Sequence, residues 1–130
     1  MKAGELGKIY KDGEIIVRQG DVGDCMYVIQ SGQVEVMKEK NGVEMPLTVL
    51  REGGIFGEMA LLDKEVRSAT VRALGEVRIL TVDKKTFLRW MSEDPTVAFH
   101  VVEMMSKRIR ELSEELVKLK FGDREKTLRI

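Results

Sequence analysis

Glycine placement constrains this chain more than any other feature. Ten of its twelve glycines lie between Gly4 and Gly57, and none falls between Glu76 and Phe121. Glycine supplies tight turns and costs about 1 kcal/mol relative to alanine inside a helix. The first half is therefore cut into short segments, while the last third can run as continuous helix. With 130 residues the chain has the size of one domain with one sizeable core, and residues 1–130 are read as a single domain.

The glycine-rich half reads as strands. Ile15–Val17 lies between the turn signals Asp12-Gly13 and Gly20-Asp21. Residues 26–29 end at Ser31-Gly32 and residues 34–37 follow at once, the signature of a hairpin around a tight glycine turn. Val43, Met45, Leu47 and Val49 alternate with Glu44, Pro46 and Thr48, which predicts a strand with one buried face. Pro46 has no N–H to give a neighbouring strand, so this strand belongs at a sheet edge. Residues 69–73 and 76–82 are two further runs separated by Leu74-Gly75. The spacing predicts an all-β sandwich or barrel over about residues 9–82.

Beyond Val82 the apolar period changes. Asp83 can cap a short helix with Phe87, Trp90 and Met91 on one face. Asp94-Pro95 is a cap followed by proline at the first helical position. Helices are expected over about 84–120, followed by a solvated or frayed charged tail at 121–130. Ala98, Val102, Met105, Ile109, Leu112, Leu116 and Leu119 step alternately by four and three, a heptad stripe. A second apolar set, Val97, Phe99, Val101 and Met104, stops early. The early turns can pack on the β-unit while the stripe continues past it. The stripe is read as a homodimer seam, with packing on its own domain as the other reading.

Charge and rare residues narrow the chemistry. Lys+Arg and Asp+Glu both number 22, which excludes a strongly basic nucleic-acid binder and an acidic tail. Cys25 and His100 are the only cysteine and histidine, so no internal disulfide, Cys-rich zinc site or poly-His metal site can form. Both are read as packed or surface residues, which leaves a metal-dependent jelly-roll enzyme or a haem sensor short of ligands. No catalytic residue and no metal are expected. No apolar run approaches ~18 residues and no signal peptide opens the chain, so a cytoplasmic protein without a membrane segment is expected.

The segment 53–72 carries the chemistry. It reads as a glycine turn, a short apolar helical stretch, a polar turn and a strand opening with Arg67-Ser68. A helix starting near Gly57 would point the free N–H groups of Gly57, Glu58, Met59 and Ala60 outward, where an anion is favoured. Glu58 is an acceptor at that anion-favouring end, and a sugar hydroxyl would suit it. Nine residues on, Arg67 offers a five-donor fork suited to phosphate, with the Ser68 hydroxyl beside it. Singly, Glu58 reads as a dipole-stabilised carboxylate, Arg67 as a solvated or paired cation, and Ser68 as a turn residue. Together they match the needs of a ribose-phosphate.

Phe56, Gly57, Glu58, Ala60, Leu61, Arg67, Ser68, Ala69 and Val71 resemble the phosphate-binding cassette of the cyclic nucleotide-binding domain family. The likeness extends to Lys11-Asp12-Gly13-Glu14, Arg18-Gln19-Gly20-Asp21 and Met26-Tyr27-Val28-Ile29 with Gly32 and Val34, and covers about residues 9–120. It implies a mainly β fold with helices. Its core is a double-stranded β-helix, a jelly-roll-like eight-stranded β-roll, followed by a short helix and a long C-terminal helix. It implies that Glu58 holds the ribose 2′-hydroxyl and Arg67 the cyclic phosphate. The amides of Gly57, Met59 and Ala60, with Ser68, complete the anion cradle. These are binding roles, not catalytic ones.

The likeness also has edges. Only residues 1–8 precede the first strand, where the family usually has a helical segment; the sequence leaves open whether the chain is a fragment of something larger. The ten residues after the long helix are too few for a winged helix, so no DNA-binding domain is expected in this chain. Bacterial activators of the family present neighbouring Thr and Ser to the adenine; the matching pair here is Leu112-Ser113. Ser113, or Arg108 one turn earlier, is the candidate for the base. Arg67-Ser68-Ala69 is closer to the cAMP-binding bacterial activators, which favours cAMP over cGMP. The expected function is a cyclic nucleotide sensor in signal transduction whose ligand repositions the C-terminal helix. The alternative is a ligand-free β-roll serving as a dimerisation or protein-interaction module.

Overall fold

A computed structural model describes residues 5–63 and 66–128, of which 62–63 and 123–128 are described by backbone alone. Six strands and three helices follow in order: β1 (Lys8–Tyr10), β2 (Ile15–Val17), β3 (Cys25–Lys40), β4 (Val43–Arg51), β5 (Ile55–Phe56), α1 (Glu58–Asp63), β6 (Thr70–Asp83), α2 (Lys84–Glu93) and α3 (Thr96–Leu128). The backbone divides into two compact units, residues 1–89 and 90–130.

The first unit is one antiparallel sheet of order β1-β6-β3-β4, with β2 also on β6 and β5 also on β3. The mainly antiparallel fold with a long final helix matches the expectation. The strand count differs, and the two glycine breaks explain why. β3 runs unbroken for 16 residues through Ser31-Gly32, so the expected hairpin there is absent. Gly32 takes φ +87° inside the strand, and the register against β6 shifts on both sides of Ser31. A Cβ at Gly32 would stand 2.5 Å from the Glu76 carbonyl oxygen, so the partner strand's approach demands glycine. β6 likewise runs 14 residues through Leu74-Gly75. Each long strand merges two runs that the sequence reads as separate, which accounts for six strands among the described residues where eight were implied. The hairpin lies instead at Asn41-Gly42, both with φ > 0, between Lys40 and Val43. That is the geometry of a tight two-residue turn matched to strand twist.

Alternation along β3 and β6 sends one set of side chains inward. Val17, Ile29, Val34, Phe56, Val71, Ala73, Val77 and Ile79 form the core, with Tyr10, Ile16, Tyr27, Val36 and Leu50 packed at its margin. Burial of each large member is worth about 1.5–3 kcal/mol. β4 pairs only with β3 and stands at the sheet edge, as Pro46 requires. Its predicted buried face is not buried: Val43, Met45, Leu47 and Val49 are 41–65% exposed. Alternation chose the face, but no layer of the first unit covers it. α2 begins where the Thr86 N–H donates to the Asp83 carboxylate at 2.7 Å, as the cap signal predicts.

In the second unit α3 is capped by Asp94, whose Oδ1 accepts from the Thr96 N–H at 3.0 Å and the Thr96 hydroxyl at 2.7 Å. The helix continues through Leu128, past the end expected near residue 120, into the tail expected to be solvated or frayed; 129–130 lie outside the described residues. Gly122 alone costs about 1 kcal/mol, too little to end a 33-residue helix. Along the stripe, Val102, Ile109, Leu112, Leu116 and Leu119 are 54–68% exposed, while Ala98 and Met105 are half-buried.

Candidate functional site

Gly57 carries the chain from β5 into α1 with φ +78°, a conformation that favours glycine. It leaves Glu58 as the first residue of a six-residue helix. β5 is fixed on β3 by the pairs Tyr27↔Phe56 and Val28↔Ile55, so the turn has a rigid base. On the far side of the turn, Arg67 is clamped by its main chain. Its N–H donates to the Asp21 carbonyl at 2.7 Å, and its own carbonyl accepts from the Gly20 N–H at 2.9 Å. An isolated bridge, Val22↔Val66, continues the same contact.

Glu58 and Arg67 are the buried charged residues of the described chain, at 5% and 7% exposure. A buried charge is tolerated only with partners. Arg67 Nη1 donates to the Gly57 carbonyl at 3.1 Å and Nη2 to the Cys25 carbonyl at 2.8 Å, with Cys25 Sγ 3.6 Å from Nη2. The guanidinium also lies over the Tyr27 ring, 5.5 Å from its centroid, and that ring stacks on Phe56 at 5.0 Å. The Gly57 carbonyl belongs to the peptide bond leading into Glu58, so Arg67 abuts the start of α1. Burial pushes the Tyr27 phenol up to about 12, aided by its hydrogen-bonded neighbour Cys25, while the Arg67 charge acts the other way.

A cavity of about 240 Å³ opens beside this cluster, walled by Arg67, Tyr27 and Cys25 and by Arg18, Asp21 and Asp24 of the 18–24 loop. The expected site residues divide around it. Arg67 lines the cavity; Gly57, Glu58, Met59, Ala60 and Ser68 are not among its walls. Gly57 is half-buried, Ala60 buried, Met59 60% exposed and Ser68 exposed. Arg108 and Ser113 lie on α3, half-buried and exposed respectively. Sequence reasoning missed Gly23, Cys25 and Tyr27 as neighbours of the guanidinium. Cys25 was read as an ordinary packed or surface residue; it is half-buried and touches Arg67 across 42 positions of sequence. Its local context holds no signal of that contact. His100 is exposed on α3. Among the described residues no group of three or more His, Cys, Asp or Glu could hold a metal, and no helix is long and apolar enough to cross a membrane.

An antiparallel roll that buries an arginine beside a glycine-led carboxylate turn, with a long helix following, defines a class of ligand-binding domain. Residues 8–94 match the family model of the cyclic nucleotide-binding domain, and the chain belongs to that family. It is similar to a cAMP-dependent protein kinase regulatory subunit of Mucor circinelloides, 48% identical over 80 residues, which is 62% of this chain and 19% of that one. It is also similar to a cGMP-dependent protein kinase of Caenorhabditis elegans, 44% identical over 81 residues, 60% of this chain and 10% of that one. Among solved structures, the catabolite activator protein of Thermus thermophilus superposes with a TM-score of 0.80 at 34% identity, over 88% of this chain and 54% of that one. The chain thus spans from a tenth to about half of the length of these relatives. What it shares with them is a binding domain.

Proposed function

We propose that this chain is a cAMP-sensing regulatory module in which Arg67 takes the cyclic phosphate and Glu58 the ribose 2′-hydroxyl. The amides of Gly57, Met59 and Ala60 and the Ser68 hydroxyl complete the anion cradle. The observation that carries this reading is the buried Arg67 guanidinium, held by main-chain carbonyls at the lip of Glu58 and forming a cavity wall. A cation withdrawn from water and fixed in orientation is prepared for an anion, because little ordering remains to be done on binding. The cavity is below the ~300 Å³ at which small-molecule pockets usually begin, and of the proposed ligand residues Arg67 alone lines it, so it offers room beside the guanidinium and not for the whole nucleotide. The base then needs cover from elsewhere, and Ser113 and Arg108 are the candidates on α3. A ligand touching both the cassette and α3 shifts the position of that helix by its differential affinity for the two states.

cAMP is preferred to cGMP on the likeness of Arg67-Ser68-Ala69 to bacterial activators. Titration of both nucleotides by calorimetry into the unaltered protein and Arg67→Ala tests the reading. Loss of the guanidinium leaves a buried phosphate unpaired, at a cost of about 2–5 kcal/mol, roughly one and a half to three and a half decades in Kd. Equal binding by both proteins removes Arg67 from the site. Tighter binding of cGMP reverses the base preference.

The exposed stripe of α3 supports a second reading, a homodimer through Ala98, Val102, Met105, Ile109, Leu112, Leu116 and Leu119, with or without nucleotide.

A further inference from the structure

The space beside Gly23 belongs to another residue. The three heavy atoms that a Cβ at Gly23 would meet first are Nε, Cζ and Nη2 of Arg67, all at overlapping distance. Nothing in the backbone asks for glycine there, because Gly23 is absent from the left-handed glycines, which include its neighbour Gly20 at φ +91°. The missing side chain is therefore explained by the guanidinium alone. On the other flank, a Cβ at Gly57 would stand 2.6 Å from Nη1. Arg67 thus sits between two glycines, over the Tyr27 ring, with the Cys25 carbonyl at 2.8 Å.

We infer that Gly23 is a positioning residue for nucleotide binding: its lack of a side chain sets where the Arg67 fork can stand, and any larger residue expels that fork from its carbonyl cradle. The inference rests on the reading of Arg67 as the phosphate ligand. Gly20 and Asp21 bind the Arg67 main chain, which ties the loop to the residue that carries the fork. An added methyl cannot be relieved by sliding the loop without breaking those two bonds. The cost falls on the flexible end of the arginine, which must leave both carbonyls.

The test is a two-way cycle. cAMP and cGMP are titrated into the unaltered protein, Gly23→Ala, Arg67→Lys and the double variant, and thermal unfolding without nucleotide is followed for the unaltered protein, Gly23→Ala, Arg67→Ala and Gly23→Ala/Arg67→Ala. Gly23→Ala is expected to weaken nucleotide binding at least tenfold with arginine at 67, and less than threefold with lysine there. It is expected to lower Tm beside Arg67 and to leave Tm unchanged beside Arg67→Ala, where the space is vacated. Binding within twofold of the unaltered protein, or equal Tm losses in both backgrounds, overturns the inference while leaving the nucleotide reading intact. Failure of the unaltered protein to bind either nucleotide overturns that reading and the binding role of Gly23 with it. Should Gly23→Ala not fold, a folded Gly23→Ala/Arg67→Ala supports the steric coupling and an unfolded one overturns it.

Discussion

Tyr27 concentrates the residue-scale physics of the site. Its ring faces are occupied by Phe56 and the Arg67 guanidinium, and its oxygen accepts from Cys25. With the phenol pushed up from 10.0 to about 12, folding holds the proton more tightly than the unfolded chain does. The contribution is present in full below pH 10 and is lost as pH rises toward 12. Denaturant unfolding at pH 9.5 and 11.5 should therefore show a larger alkaline loss in the unaltered protein than in Tyr27→Phe. Equal losses would place the phenol outside the cluster. Arg67 and Glu58 stand out in the sequence because their types and spacing would suit one ligand, and the structure buries both. Gly23, Cys25 and Tyr27 do not, because each owes its role to a contact with a residue some forty positions away. A residue type reports what a side chain can do, and only the fold reports what it meets.

At the scale of elements, local rules fared better than long-range ones. Asp83 and Asp94 cap the helices that their positions forecast, since a cap is settled within three residues. The hydrogen bonds from Thr96 hold the Asp94 carboxyl below its usual 3.8, and those from Thr86 do the same for Asp83. A depressed carboxyl stabilises the fold above that value and ceases to as pH falls through the lower folded one. Helical ellipticity at 222 nm should decline on acidification below pH 3.8 in the unaltered protein. Asp94→Asn, which keeps an acceptor but no charge, should flatten that decline, whereas Asp94→Ala should lower helicity at every pH. The breaks at Gly32 and Gly75 were misjudged because a glycine in a bent long strand and a glycine in a turn look alike in sequence. At Gly32 the partner strand presses on the missing side chain, whereas at Gly75 it is the positive φ of +70° inside the strand that asks for glycine.

For the molecule as a whole, α3 raises the largest question. Five of its stripe residues are more than half exposed, an apolar surface of the kind that marks an interaction site. The dimer proposed for this stripe predicts that Leu112→Glu shifts the protein toward monomer in analytical ultracentrifugation by about 100-fold in Kd. Lys107→Gln, on the face opposite the stripe, should leave the equilibrium within a few-fold. A monomeric unaltered protein at high concentration would instead leave the stripe for some other partner. The heptad was readable from the steps of four and three. The exposed face of β4 was not, because periodicity names the side that prefers cover without saying what supplies it.

That strand has a consequence of its own. A sheet margin of nine residues with four greasy side chains is the kind of surface on which a stray chain can template itself. Its safeguard is Pro46, a ring closed over the one nitrogen in mid-strand that lacks a hydrogen to offer. Colloidal behaviour on long storage is thus tied to a residue remote from any ligand, and exchanging that imino acid for threonine should turn a clear solution turbid.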